Sequence, residues 1–213
     1  MANIRIGTVD LPPRIDRERY FRELSFIELT ATMSRAALAR WRKLAPDGAI
    51  ALHGALFATT DAIAQLRGAL ATVAAPTAVF RSPALFSPST EHRERLRRFF
   101  GEVATAEEIG ATRVWIPDGL WEPRDAIRFA RELGVTCTFD PLVREPGVPL
   151  EMFFDLELDV LYVRVERPGV LRAERMDDLA VLFEHYEALP TTIAFATTDR
   201  WRDARALKKL LAG

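Results

Sequence analysis

The sequence predicts an α/β chain folded as a compact (βα)8 TIM barrel with a reduced sixth crossover, and three observations carry that prediction. Short β-rich runs alternate with longer helical patterns from one end of the chain to the other, the pattern of a parallel sheet with helical crossovers. About eight such units are present, which favours a closed barrel over an open doubly wound sheet. No Gly-x-Gly-x-x-Gly follows the first strand, so a dinucleotide-binding sheet lacks its fingerprint.

The elements follow in order. Residues 4–9 form a short apolar run and the first strand, residues 16–24 a helical pattern, and residues 26–29 the second strand. Ser34 supplies an N-cap side chain for a helix whose apolar positions Leu38, Trp41 and Leu44 repeat at a spacing of three. Pro46, Asp47 and Gly48 make a turn into the third strand at 49–53. Thr60 is expected to cap the next helix, with Ile63, Leu66, Leu70 and Val73 on its buried face and Pro76 as its breaker.

The fourth strand is residues 77–80, and the loop 87–90 caps one helix running from about 91 to 109. The fifth strand is 113–116, Pro123 opens a helix that Gly134 ends, and the sixth strand is 135–139. The sixth crossover is short: a loop at 141–149 and a single turn at 150–154. The seventh strand is 159–165, a helix spans 176–189, the eighth strand is 191–196, and Asp199 caps a last helix reaching 211. At 213 residues the chain is shorter than the roughly 250 typical of this fold, and short loops account for the difference.

Composition narrows the function. With 49% hydrophobic and 28% charged residues the chain reads as one globular domain, residues 1–213, without a linker. Its net charge of −1 provides no basic field for nucleic acid or an anionic membrane. The basic residues are almost all Arg, with Lys only at 43, 208 and 209, and they are interspersed with acids. Residues 91–98 look basic, yet on a helix Glu91 faces Arg95 and Glu94 faces Arg98, a salt-bridged solvent face. Cys137 is the only cysteine, so no internal disulfide forms. No apolar run approaches the roughly 20 residues of a membrane span, and residues 1–9 lack a signal-peptide core. The expected location is cytoplasmic.

The strand-end segments resemble the YecE-like family, catalogued as domain of unknown function 72. Ile6-Gly7-Thr8 is similar to that family's opening Ile-Gly-Thr-Ser-Gly, and Phe26-Ile27-Glu28-Leu29 to its second strand. Leu38-Ala39-Arg40-Trp41 with Pro46-Asp47-Gly48, Leu161-Tyr162-Val163-Arg164, and Asp203-Ala204-Arg205-Ala206-Leu207 resemble its next helix and turn, its seventh strand and its last helix. The resemblance implies the barrel fold and, at matching positions, Glu28 and Arg164. The departures lie in the polar lining. Ala31-Thr32-Met33 replaces a Thr-Phe-Tyr-Arg-Leu-Pro loop, His53 stands where the family often has lysine, and Arg81-Ser82-Pro83 replaces Gln-Leu-Pro-Pro. Val114-Trp115-Ile116-Pro117 replaces Glu-Phe-Arg, Glu166-Arg167 a His-Gly pair, and Ala196-Thr197 paired Asn residues. A divergent member is implied.

In this fold, sites gather at the C-terminal ends of the strands, which here carry Thr8, Asp10, Glu28, Thr30, His53, Arg81, Ser82, Asp118, Asp140, Arg164 and Glu166. The candidate catalytic residues are Glu28, His53 and Arg164, and the candidate ligand-binding residues are Thr8, Arg81, Asp140 and Glu166. Glu28 in an apolar strand is either a general base or ligand, or half of a structural ion pair with Arg164 or Arg81. His53 is an acid, base or metal ligand, or a hydrogen-bonded interior histidine. Arg81 and Arg164 hold a phosphate or carboxylate, or else neutralise Glu28 and Glu166. Trp121 and Trp201 follow strands five and eight and either line the mouth or pack over it.

No His-Glu-x-x-His or Cys-x-x-Cys is present, so no cofactor is predicted; Glu28, His53, Asp140 and Glu166 are nonetheless suitable types for a divalent metal. Two functions follow. One is a divergent barrel with reduced or no catalysis that binds a small anionic ligand or a protein partner at its C-terminal face. The other is a metal-assisted hydrolase or isomerase acting on a small phosphorylated or sugar-like substrate.

Overall fold

The computed structural model describes residues 4–117, 120–144, 148–166 and 171–213. The first elements are β1 (Ile4–Val9), α1 (Arg17–Glu23), β2 (Phe26–Leu29), α2 (Arg35–Leu44), β3 (Ile50–Ala55) and α3 (Thr60–Val73). There follow β4 (Thr77–Arg81), α4 (Thr90–Arg98), α5 (Ala106–Ile109), β5 (Thr112–Ile116), α6 (Pro123–Glu132) and β6 (Thr136–Cys137). The last are β7 (Leu161–Val165), α7 (Ala173–His185), β8 (Thr191–Phe195) and α8 (Arg200–Ala212). Among the described residues eight strands form one sheet in the order β6-β5-β4-β3-β2-β1-β8-β7, and β1 with β2, β1 with β8, β3 with β4, β4 with β5, β5 with β6 and β7 with β8 pair in parallel. This is the (βα)8 barrel topology that the alternation predicts. In the sixth crossover the described helical segment is a single 3-10 turn, Leu150–Phe153.

The chain divides into two compact units. The first combines residues up to Glu28 with those from Phe139 onward. Its strands β1, β8 and β7 pair in register, with Ile6 beside Ile193 and Val163 beside Ile193, and Phe139 bridges to Val163. Gly7 lies opposite Phe26, and a Cβ at Gly7 would overlap the Phe26 carbonyl oxygen. Only glycine lets β1 and β2 approach at that point. The helix side of this sheet is filled by Tyr20 of α1, Leu179, Leu182 and Phe183 of α7, and Ala204 and Leu207 of α8, all buried.

The second unit spans Leu29–Thr138. Its strands β4 and β5 are buried on both faces along most of their length, as a parallel sheet covered by helices requires. Three sequence expectations are corrected in it. The cap of α3 is Thr59 and not Thr60: the Thr59 hydroxyl accepts the Ala62 N–H at 3.4 Å. The helix is closed by Ala74 in the left-handed region (φ 50°), two residues before Pro76.

The single helix expected over 91–109 is broken into α4, a π-helical turn at Phe99–Val103, and α5. The wider turn lets the consecutive Phe99 and Phe100 both reach Phe80, at 5.4 and 5.7 Å between centroids. Arg113 holds its end, donating to the carbonyls of Phe100 and Ala104 (2.8 and 2.9 Å) and, with its other nitrogen, to those of Leu133 and Gly134 after α6. Burial lowers the Arg113 pKa.

In the first unit, Asp199 occupies the N-cap position of α8, but its side chain makes no capping bond. The buried acceptor nearby is Asp203, which receives the Thr197 hydroxyl at 2.7 Å.

Five non-glycine residues among those described adopt positive φ: Asp10, Arg14, Phe57, Ala74 and Leu85. All but Ala74 lie in loops that follow strands, the face on which this fold builds its sites.

Candidate functional site

The strand-end residues of the first unit form a continuous chain of contacts. Tyr162 and Arg164 are two apart on β7 and therefore share a face. Glu28 of β2 is wholly buried between them. The Tyr162 hydroxyl donates to Glu28 Oε1 at 2.7 Å, and Arg164 Nε donates to Oε2 at 2.9 Å. Arg164 Nη1 makes a close ion pair with Glu166. The Glu166 backbone N–H donates to Asp140 Oδ2 at 2.9 Å, and the other oxygen of Asp140 accepts the Leu142 N–H at 2.9 Å. Burial, and next the Glu28 charge, hold the Tyr162 phenol well above its ordinary pKa.

Four of the predicted residues are thus brought together: Glu28, Arg164, Glu166 and Asp140. Tyr162 is the member that the sequence reading missed. Its signal was available, since period-two alternation puts it on the face of Arg164. Chemically the cluster is satisfied from within. A general base needs an oxygen open to a substrate proton, and here both Glu28 oxygens accept from neighbouring side chains.

Thr8 does not join the cluster. It sits beside Ile27 in register, on the opposite face from Glu28. Its backbone N–H donates to the Tyr20 hydroxyl at 2.8 Å, its own hydroxyl donates to the Asp10 carbonyl at 2.8 Å, and Tyr20 in turn donates to the Phe26 carbonyl at 2.7 Å. This is helix-to-sheet packing. The Asp10 N–H donates to the Glu28 carbonyl. Trp201 packs on Tyr20 at 5.7 Å between ring centroids.

In the second unit, His53 and Arg81 lie on one face of adjacent strands. His53 is opposite Val79, and Ala55 is opposite Arg81. Both side chains are half-buried at the C-terminal ends of β3 and β4. A cavity of about 300 Å3 opens at the end of β3, and His53 is part of its wall. Ser82 is buried and accepts the Trp115 indole N–H at 2.8 Å, a structural bond. Trp121 stacks on Phe129 (5.5 Å) under Arg93, Arg95 lies over Phe57 at 4.4 Å and Arg97 over Phe129 at 5.1 Å, so this basic helix sets three arginines against aromatic rings. Glu94 pairs with Arg98 at 3.4 Å as the spacing predicts. Asp118 lies outside the described residues.

No protein-family model and no curated protein matches the chain. Solved structures do. A xylose isomerase domain protein from Planctomyces limnophilus aligns over 99% of this chain and 96% of its own, with TM-score 0.67 and 13% identity. An IOLI protein with a bound zinc atom aligns over 90% and 88%, with TM-score 0.57 and 13% identity. An uncharacterised protein from Parabacteroides distasonis aligns over 99% of both chains, with TM-score 0.56 and 11% identity. At such identities the likeness is one of fold. No described helix is long and apolar enough to cross a membrane.

Proposed function

We propose that this chain is a divergent barrel with reduced or no catalysis that binds a small anionic ligand at the C-terminal ends of β3 and β4. The observation that carries the loss of catalysis is the double engagement of Glu28 by Tyr162 and Arg164. The anion preference rests on His53 and Arg81, which share one sheet face at those strand ends. Arg81 supplies a fixed positive charge in a planar fork suited to phosphate or carboxylate, and His53 a second donor. Arg164 faces two carboxylates and is given a structural role in this reading.

Kinship with the YecE-like family, a single domain over residues 1–213 and a cytoplasmic location belong to this same reading. They rest on the shared strand-end segments, the unbroken alternation and the absence of an apolar span.

The metal-assisted isomerase is the second reading, favoured by the fold shared with the xylose isomerase domain protein and with the zinc-bearing IOLI protein. The donor set does not fit it. Among the described residues no three His, Cys, Asp or Glu side chains converge as metal ligands. The carboxylates of Glu28, Glu166 and Asp140 are engaged by Tyr162, Arg164 and backbone amides.

Thermal melting in rising inorganic phosphate tests the proposal. The wild type should gain stability with phosphate, and Arg81→Ala should lose most of that gain, with His53→Ala losing part of it. An identical gain in Arg81→Ala, or none in the wild type, overturns the anion site. Turnover of a sugar phosphate by the wild type with zinc or manganese added would overturn the loss of catalysis.

A further inference from the structure

The cavity at the end of β3 stands apart from Arg81 and from the His53 side chain. Leu52 and Gly54 alternate with His53 along the strand, so they face α2 and α3 while the His53 side chain stands on the opposite face of the sheet. Arg81 is not among the lining residues, and His53 meets the cavity through its backbone.

Small residues build the hollow. Ala62, Leu66 and Ala69 recur at helical spacing and turn one face of α3 toward it. Alanine at 62 and 69 leaves open the space that a leucine would occupy. On the strand side, a Cβ at Gly54 would come within 2.5 Å of Leu66 Cδ2 and 2.8 Å of the Phe80 ring, so a side chain there would displace Leu66. The other walls are Leu38 of α2 and residues 31–33 before that helix. Protein interiors are close-packed, and the volume of about 300 Å3 is many times the share of one water molecule. An apolar cavity of roughly 150 Å3 already admits benzene.

The lining carries no charge: among the described residues no Asp, Glu, Lys or Arg contributes to it. Its polar side chains are Thr32 and Gln65. Both residues are exposed, and among the described residues neither side chain hydrogen-bonds to the protein. Gln65 also lines a groove of about 600 Å3 that continues between α2 and α3, so it stands where the cavity opens.

We propose that this cavity is a second ligand site, separate from the anion site, and that it takes a neutral, ring-sized molecule, mostly hydrocarbon, whose single hydroxyl or carbonyl group meets Thr32 and Gln65 at the mouth. The ring gains by leaving water for the leucine and alanine walls. A charged ligand would give up its hydration here without gaining a counter-ion. A sugar would bury several hydroxyls against hydrocarbon, with only two side chains to answer them.

Titration of the full chain with benzyl alcohol, toluene, benzoate and benzylamine at neutral pH, read from backbone amide shifts in NMR spectra, is the test. Benzyl alcohol and toluene should bind, with shifts concentrated at residues 52–55 and 62–69, and the two charged analogues should bind at least about tenfold more weakly. Ala62→Leu and Ala69→Leu, each checked for a wild-type melting profile, should weaken both neutral ligands at least about tenfold by filling the space. Gln65→Leu, at an exposed helix position, should cost benzyl alcohol about fivefold, the worth of one hydrogen bond, and leave toluene within about twofold. Saturating phosphate should leave benzyl alcohol binding unchanged. Benzoate binding as tightly as benzyl alcohol, neutral ligands that ignore both leucine fillings, or no binding of either neutral compound at its solubility limit overturns the site. Equal losses for toluene and benzyl alcohol in Gln65→Leu overturn the polar mouth, and displacement of benzyl alcohol by phosphate overturns the separation of the two sites. The contrast between neutral and charged ligands needs no variant, and it decides the matter if a leucine filling does not fold.

Discussion

Glu28 and Arg164 lie 136 residues apart and meet through a 2.9 Å hydrogen bond from Nε to Oε2, both side chains removed from solvent. A buried pair of this kind is expensive to break from one side, because the remaining charge is left without compensation. Arg164→Ala should cost about 3–5 kcal/mol in urea unfolding. The double variant Glu28→Gln, Arg164→Met should recover most of that loss, since both charges are gone. Arg164→Ala within about 1 kcal/mol of the wild type would mean that the pair contributes little.

The buried phenols set an alkaline limit. Burial raises the pKa of Tyr20 and, with the Glu28 charge, of Tyr162. In the unfolded chain tyrosine ionises near pH 10. Below that pH both states keep the proton, and the full contribution is present. Above it the unfolded state releases protons first, so stability falls as pH rises, by up to about 1.4 kcal/mol per pH unit for each phenol. Spectrophotometric titration should show Tyr20 and Tyr162 ionising only as the protein unfolds. Three tyrosines titrating freely near pH 10 in folded protein would contradict this.

Cys137 offers a simple probe of the core. It is buried in β6, and burial pushes its thiol pKa up, so the nucleophilic thiolate is withheld. Ellman's reagent should leave the native protein unmodified for hours and titrate one thiol per chain in strong denaturant. Rapid labelling without denaturant would show that β6 opens locally.

Arg113 ties four carbonyls at the ends of two helical segments. Arg113→Met keeps much of the apolar stem and removes every donor, leaving these acceptors short of partners. A loss of about 2–4 kcal/mol is expected, at about 1–3 kcal/mol for each acceptor left buried without a donor and with partial relief by water. Arg113→Lys should restore only part of it, because an ammonium cannot span both helix ends. Full rescue by lysine would argue against the four-carbonyl geometry.

Legibility from sequence tracked the physical reach of each signal. β1 and β2 fall on the residues their apolar runs mark, because burial on both faces leaves a contiguous hydrophobic trace. The break after Arg98 was illegible: Phe99-Phe100 satisfies helical periodicity locally, and only Phe80, on a distant strand, makes the wider turn worthwhile. Glu28 and Arg164 stood out as charges in apolar strands, whereas Tyr162 looked like ordinary core because its hydroxyl adds nothing to the pattern. The cavity was hidden for the opposite reason. Alanine at 62 and 69 is good helix-forming sequence, and what it fails to fill is visible only with α2 in place.

Gly7 bears on how kinship should be judged for this chain. Its lack of a side chain is imposed by the Phe26 carbonyl, and the Thr8 beside it is committed to Tyr20 and the Asp10 carbonyl. The Ile-Gly-Thr triplet is therefore a fastening between a strand, its neighbour and a helix. Any barrel that joins its first two strands in this way is pushed toward the same letters, whatever it binds. Shared spelling at that point is testimony about carpentry, and evidence of common chemistry has to be sought at residues such as His53 and Arg81, which the fastening does not dictate.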